Sequence, residues 1–233
     1  MNETFSTSKK VSYKKLIPGI IAGLIFIGVI LFLSAGTIFW IEGWIYLIFF
    51  AVYFGVLTIY SNKKNPEVIR SRSKFKPEKK WDIILMTFLI IAIFVSFSLL
   101  GLDAVRFKWS QVPLFIKIMG FIGVGLGLFL MGAVMIENAY ASKTAIIQKE
   151  KKHKVITTGP YRFIRHPLYL GFITLLISQC FALGSYWSLI PASISAILII
   201  IRTYFEDKML KKDLDGYLEY TKKVKYRLIL GIW

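Results

Sequence analysis

The sequence has very little of what metal and disulfide sites are made of. Its 233 residues include one cysteine, Cys180, and two histidines, His153 and His166. A single cysteine excludes a disulfide within the chain, and two histidines beside it are too few for an ordinary zinc site. We therefore expect no metal site. Acidic residues are also scarce, 13 against 30 lysines and arginines, so the net charge is +17.

The positive charge lies in four segments rather than along the whole chain. Residues 9–15, 62–80, 143–165 and 202–227 hold 27 of the 30 lysines and arginines. Charge kept to one side of a set of apolar segments follows the positive-inside rule, so we expect these segments and both termini to be cytoplasmic. Topology and attraction to anionic lipid headgroups account for the charge. We expect no nucleic-acid partner, since no basic face remains to be explained.

Apolar residues make up 56% of the chain and are gathered into long runs. Four runs, Leu16 to Trp40, Trp44 to Tyr60, Ile83 to Leu102 and Leu114 to Ile136, are long enough to cross a bilayer core of about 30 Å as helices. Five glycines in the fourth run predict close helix packing rather than a nucleotide-binding loop.

Two later apolar runs are shorter, and the charged segment after them has a helical pattern. Residues 168–183 and 188–201 predict a short helical hairpin whose cytoplasmic mouth forms a pocket. From Arg202 onward, apolar residues recur every three or four positions, which predicts a surface amphipathic helix interrupted near Asp215 and Gly216.

The predicted fold class is therefore an all-α integral membrane protein with about six transmembrane helices and a C-terminal amphipathic helix. The last two spans are the short hairpin. We expect residues 1–136 to form a four-helix membrane scaffold. Residues 137–233 would carry the chemistry, with a cofactor pocket at the cytoplasmic face.

The first chemically informative segment is the loop TGPYRFIRHPLY at residues 158–169. Its two prolines stiffen the backbone and place His166 at the head of the next helix. Arg165 beside a helix N-terminus suits a carboxylate or phosphate. Arg162 and Arg165 could also only mark the cytoplasmic side, but lysine serves that purpose elsewhere, and two arginines favour planar recognition of a ligand. His166 would either bind a cofactor or only cap the helix.

The second informative segment is RTYFED at residues 202–207. Arg202 and Glu206 are one helical turn apart and share a face. A surface ion pair would explain them, but such a pair contributes only about 0 to 1 kcal/mol, and Asp207 adds a carboxylate that the pair does not need. A ligand with a cationic centre would explain the excess of negative charge.

These two segments carry a resemblance to a known family. GPYRFIRHPLYLG, followed about thirty residues later by RTYFED and then by LDGYLEYTKKVKYRLILGIW, resembles the signature of the isoprenylcysteine carboxyl methyltransferase and phospholipid methyltransferase family. Glu137, Asn138 and Ser142 match the stretch that precedes it in many prokaryotic members. Asp207 departs from the pattern, because many members have glutamate there.

The resemblance implies an S-adenosylmethionine-dependent methyltransferase that takes a lipophilic or prenylated acceptor from the bilayer of a prokaryotic plasma membrane. Arg202 and Glu206 would be catalytic, and Asn138, Ser142 and Arg202 would contact the acceptor. The residues that the resemblance assigns to the cofactor are Gly159, Tyr161, Arg162, Arg165, His166, Pro167, Tyr169, Glu206 and Asp207. In-line methyl transfer depends mainly on alignment in a site closed to water.

Other functions fit parts of the pattern. Related architectures methylate isoprenylcysteine-type carboxylates, phospholipid amines or small thiols, and the sequence does not choose among them. An NADPH-dependent reductase of the sterol type is a second possibility, although Leu168 stands where such enzymes usually have asparagine. A non-catalytic scaffold or transporter subunit is a third, but a cluster of ionisable residues in a membrane is costly to keep without a ligand.

Overall fold

The computed structural model describes residues 12–64, 79–138 and 155–233, and the regular structure in these ranges is helical. A π-helical segment, Leu102–Phe107, continues the third helix, and a 3-10 turn, Gly159–Arg162, precedes the fifth. The α-helices are α1 (Tyr13–Ala35), α2 (Ile41–Lys64), α3 (Lys80–Gly101), α4 (Leu114–Glu137), α5 (Pro167–Ala182), α6 (Leu189–Asp213) and α7 (Tyr217–Lys223).

The outward surfaces of the long helices are apolar. Side chains such as Ile25, Ile90 and Phe129 are more than half exposed, which is stable in lipid but not in water. Helices α1, α2, α3, α4 and α6 are long and apolar enough to cross a membrane, and α5 is apolar but shorter. The prediction of an all-helical, multi-pass integral membrane protein with about six membrane helices is confirmed.

The structure differs from the sequence prediction at Arg202. The last apolar run was expected to end at Ile201, but α6 continues unbroken from Leu189 to Asp213. No glycine or proline interrupts the helix there, and Asp82 of α3 neutralises the buried Arg202. The predicted interruption near Gly216 is present, because Gly216 adopts a left-handed conformation (φ 78°) just before α7.

Helices α4 and α5 are held together through glycines. A Cβ on Gly120 would lie 2.3 Å from the backbone nitrogen of Ala182, and one on Gly123 would lie 2.2 Å from Ser178 Oγ. A Cβ on Gly127 would also be too close to its neighbour, 2.8 Å from the carbonyl oxygen of Gly171. Only glycine permits this approach, so the packing role predicted for these positions is confirmed.

The helices alternate in direction, which gives the bundle two distinct ends. We call the end where α3 and α5 begin and α4 and α6 end the site end. At the opposite end, the buried carboxylate of Asp103 accepts hydrogen bonds from Ser110 N (2.7 Å), Ser110 Oγ (2.7 Å), Ser185 Oγ (2.6 Å) and Trp187 N (3.2 Å). This cluster ties the α3–α4 connection to the α5–α6 connection.

We predict that Gly120→Ala lowers the melting temperature of the detergent-purified protein by several degrees. The added methyl group would force α4 and α5 apart, and overpacking of this kind typically costs about 1–3 kcal/mol. Gly55→Ala in α2 is the matched control, because a Cβ there meets nothing within 4 Å. Equal melting temperatures for the two variants would contradict the packing account.

Candidate active site

Residues 224–233 follow α7, and we call them the C-terminal segment. The backbone of the loop before α5 forms hydrogen bonds with this segment. The N–H groups of Arg165 and His166 donate to the carbonyl oxygens of Tyr226 (3.0 Å) and Arg227 (2.9 Å). Pro167 opens α5, where a missing backbone N–H has no consequence. His166 is thus fixed immediately before the helix, as the sequence predicted.

Asp207 of α6 is the centre of a buried ionic network. Its carboxylate, 1% exposed, lies 2.8 Å from Arg165 Nε, 3.1 Å from Arg227 Nε and 3.1 Å from Lys211 Nζ. The hydroxyl of Tyr217 donates to the same carboxylate at 3.0 Å. Burial, and next the charge of Asp207, raise the pKa of Tyr217 well above its usual value, so Tyr217 remains a donor at neutral pH.

Arg165 makes its contacts with the protein itself. Besides Asp207, its Nη1 donates to the carbonyl oxygens of Val224 (2.8 Å) and Lys225 (2.7 Å). From the sequence, Arg165 and Asp207 are each predicted to bind a ligand. The structure pairs them with each other, and together they fasten residues 224–227 to α5 and α6.

A second network surrounds the ring of Tyr169 at the start of α5. Arg202, 5% exposed, donates from Nε to Asp82 Oδ1 at 2.8 Å, and Asp82 is fully buried. The Arg202 guanidinium carbon lies 5.4 Å from the centre of the Tyr169 ring, within cation–π range. The hydroxyl of Tyr169 donates a short hydrogen bond to Glu206.

His166 joins the two networks. Its ring stacks on Tyr169 with centroids 5.8 Å apart and planes 11° apart. On the other side, its Nε2 lies 3.5 Å from Asp207 Oδ1 and 3.4 Å from the Tyr217 hydroxyl. His166 therefore contacts both the framework around Asp207 and the aromatic centre of the cluster.

Four of the remaining predicted residues, Asn138, Gly159, Tyr161 and Arg162, lie at the edge of this site. Asn138 Nδ2 donates to the Tyr161 hydroxyl at 2.7 Å, and the Tyr220 hydroxyl donates to the Tyr161 carbonyl at 2.7 Å. Gly159 (φ 58°) is exposed and packs on Glu137. Arg162 is also exposed. Ser142, predicted to contact the acceptor, lies outside the described residues.

The structure thus brings together six residues that were predicted from the sequence: Arg165, His166, Tyr169, Arg202, Glu206 and Asp207. It adds Asp82, which was not predicted from the sequence. Asp82 is 120 residues from Arg202 along the chain. Its only sequence signal is an acidic residue at the start of an apolar run. In the described ranges no group of three His, Cys, Asp or Glu residues is placed to hold a metal ion.

The part of the chain that carries this site is similar in sequence to a known family. The model of the isoprenylcysteine carboxyl methyltransferase (ICMT) family matches residues 121–212, from within α4 to the end of α6. That region of the chain is therefore similar to the ICMT family. The ICMT match includes every predicted site residue and leaves out Asp82.

Two relatives and one solved structure are similar to this chain. The protein-S-isoprenylcysteine O-methyltransferase of Saccharomyces cerevisiae is 26% identical over 70% of this chain and 69% of its own length. That of Schizosaccharomyces pombe is 25% identical over 42% of this chain, and the match spans 43% of its length, less than half of that relative. The structure of the eukaryotic intramembrane Ras methyltransferase ICMT aligns over 92% of this chain and 85% of its own, at 15% identity and a TM-score of 0.45.

We predict that Asp207→Asn strongly destabilises the C-terminal segment. Removing one partner of a buried ion pair costs about 3–5 kcal/mol, because the remaining charges stay buried without compensation. The expected result is a lower melting temperature and faster tryptic cleavage near Lys222 and Lys223. The control is Glu219→Gln, which breaks an exposed pair with Lys222. Cleavage of the Asp207 variant at the control's rate would contradict the role of Asp207.

Proposed function

We propose that this protein is a membrane methyltransferase that uses S-adenosylmethionine and acts on a lipophilic acceptor, with an isoprenylcysteine-type carboxylate as the first candidate. The proposal rests on the cluster of Arg202, Tyr169 and Glu206, which lies within residues 121–212, the region that the family model matches. The two yeast relatives bear the name of this activity. Their likeness supports the reaction class for this chain.

A cluster of ionisable side chains inside a membrane protein requires a physical explanation. Ionisable side chains within membrane helices are expensive and generally mark functional sites. Arg202 and Glu206 follow directly on a stretch of α6 that presents apolar residues such as Ile197 and Ile200 to its exterior. The bundle itself would be stable with apolar residues at these positions, so a ligand is the simplest reason to keep them.

The residues around Glu206 fit the proposed cofactor. S-adenosylmethionine, when bound, supplies a methyl group already activated on a sulfonium cation. Glu206 is partly exposed and accepts from Tyr169, so its carboxylate suits an ammonium group or a ribose diol. The rings of Tyr169 and Tyr161 offer faces for an adenine or a cation, and the exposed Arg162 suits a carboxylate.

Three of the residues first assigned to the cofactor have a different place in this proposal. Arg165, His166 and Asp207 form the frame that fixes Tyr169 and Glu206, because they contact each other and residues 217–227, and the ring of His166 stacks on Tyr169. Pro167 fixes the start of α5. Gly159 allows Glu137 to approach the loop, since a Cβ there would lie 3.1 Å from Glu137 Cγ.

The chain's contribution to the reaction would be alignment. Arg202, held against Tyr169, would orient the acceptor carboxylate so that one oxygen faces the methyl group in line with the bond that breaks. Burial of Arg202 and Tyr169 excludes water from this point. Asn138, at the end of α4, and Ser142 are proposed to contact the acceptor. Trp81 stacks on Phe205 at 5.4 Å, which gives a lipophilic acceptor an apolar surface beside Asp82 and Glu206.

We propose that the site end faces the cytoplasm of a prokaryotic cell. The described basic residues Lys14, Lys63, Lys80, Arg162 and Arg165 fall at this end, as the positive-inside rule would require of a cytoplasmic face. A Cβ on Gly101 would lie 2.5 Å from the backbone nitrogen of Ala35, so α1 and α3 end side by side and α1 also starts at the site end. Both termini would then be cytoplasmic. The division into a scaffold, residues 1–136, and a catalytic region, residues 137–233, remains a proposal, and the Asp82–Arg202 pair crosses it.

We predict that isothermal titration calorimetry detects S-adenosylmethionine binding to the detergent-purified protein and that Glu206→Gln weakens this binding roughly 10- to 100-fold. A hydrogen bond to a charged group contributes about 1.5–3 kcal/mol, and about 1.4 kcal/mol corresponds to a factor of ten in affinity. Asp213→Asn, an exposed acid at the end of the same helix, is the control and should bind as the wild type does.

The same titration with NADPH separates the methyltransferase from the reductase. Heat with NADPH and none with S-adenosylmethionine would overturn the proposal. An unchanged dissociation constant for Glu206→Gln would overturn the assignment of Glu206 to the cofactor.

A further inference from the structure

Asp82 is a fully buried carboxylate contributed by a part of the chain that the family match does not include. It is the third residue of α3, and the match begins at residue 121. A negative charge in the first turn of a helix is favoured by the helix dipole, which lowers the cost of burying Asp82. That effect alone does not require the side chain to turn toward α6, where it meets Arg202 Nε at 2.8 Å.

Arg202 lies between two carboxylates. The Nε of Arg202 donates a hydrogen bond to Asp82 of α3, and Glu206 lies one turn further along α6. Residues four apart on a helix can pair directly. Without the negative charge of Asp82, the buried guanidinium would be drawn toward Glu206, because a buried charge must be compensated.

Such a movement would disturb the chemistry of the site. Arg202 would leave its position over the Tyr169 ring, 5.4 Å from the ring centre. It would also compete with Tyr169 for Glu206, which accepts the Tyr169 hydrogen bond. Both the group that orients the acceptor and the carboxylate assigned to the cofactor would be displaced by one rearrangement.

We propose that Asp82 is a positioning residue: it holds Arg202 against Tyr169 and away from Glu206, and so determines the rate of methyl transfer. This inference rests on the proposed function. It also assigns a role in the active site to α3.

The test uses Asp82→Asn in the full-length protein, with methyl-labelled S-adenosylmethionine and two acceptors in parallel, S-farnesylcysteine and phosphatidylethanolamine. Asparagine keeps the volume and an acceptor oxygen but removes the charge. We expect kcat to fall about 10- to 100-fold, since a misplaced group can cost roughly 10²-fold in rate. Asp103→Asn is the matched control, because Asp103 is equally buried but lies at the opposite end of the bundle. Its kcat per folded protein should stay within threefold of the wild type.

A second comparison asks whether Asp82 acts through Arg202. In an Arg202→Met background, Asp82→Asn should change kcat by less than threefold, because the group that Asp82 positions is already gone. A further tenfold loss in that background would overturn the proposal. So would a single Asp82→Asn variant whose kcat equals that of the wild type.

Two further outcomes are also decisive. If Asp82→Asn does not fold, the double variant Asp82→Leu with Arg202→Met replaces the whole pair by apolar side chains, a change that buried pairs often tolerate. Its kcat should equal that of Arg202→Met alone, and a tenfold lower value would overturn the proposal.

A wild-type protein that methylates neither acceptor would overturn the proposed function and this inference together, whereas an active wild type with a normal Asp82→Asn variant would overturn the inference alone.

Discussion

The buried carboxylate of Asp207 is the interaction on which the candidate site depends. A charge that is 1% exposed is stable only when positive groups and donors surround it, and these come from the loop before α5, from α6, from α7 and from residue 227. Asp207 therefore determines how four parts of the chain meet. Consecutive residues of a helix point in different directions, so Asp207 faces the C-terminal segment while Glu206 faces Tyr169.

The two ends of the bundle use buried acids in different ways. At the opposite end, Asp103 is satisfied by serine hydroxyls and backbone N–H groups, which are neutral donors that tie connections together. At the site end, guanidinium groups and phenols surround Asp82, Glu206 and Asp207. Charged, planar and aromatic groups are what a cofactor with a cationic centre and a carboxylate acceptor would need. This difference in chemistry supports the proposal that the site end carries the function.

Much of the fold follows from the sequence, because membrane helices are determined by the length of apolar runs. The tight approach of Gly120 and Gly127 to α5 also follows from residue type, since small residues are the means by which membrane helices come close. The end of α6 did not follow from hydropathy. Arg202 looked like the start of a surface segment, but its charge is neutralised by Asp82 inside the bundle.

The candidate site was predictable residue by residue but not contact by contact. Arg165 and Asp207 each carry charge suited to a ligand, and only the folded arrangement shows that they neutralise one another. Asp82 could not be found from local spacing, because its partner is 120 residues away. The predicted roles of Asn138, Arg162 and Ser142 remain predictions.

The most direct test of the account is transfer of a labelled methyl group from S-adenosylmethionine to S-farnesylcysteine by the purified wild-type protein. We expect a product whose label is released as methanol by base, as a carboxyl methyl ester requires. Label that resists base would show that the acceptor atom is not a carboxylate oxygen. Absence of any transfer to lipid or prenylcysteine, together with oxidation of NADPH in the same preparation, would contradict the account.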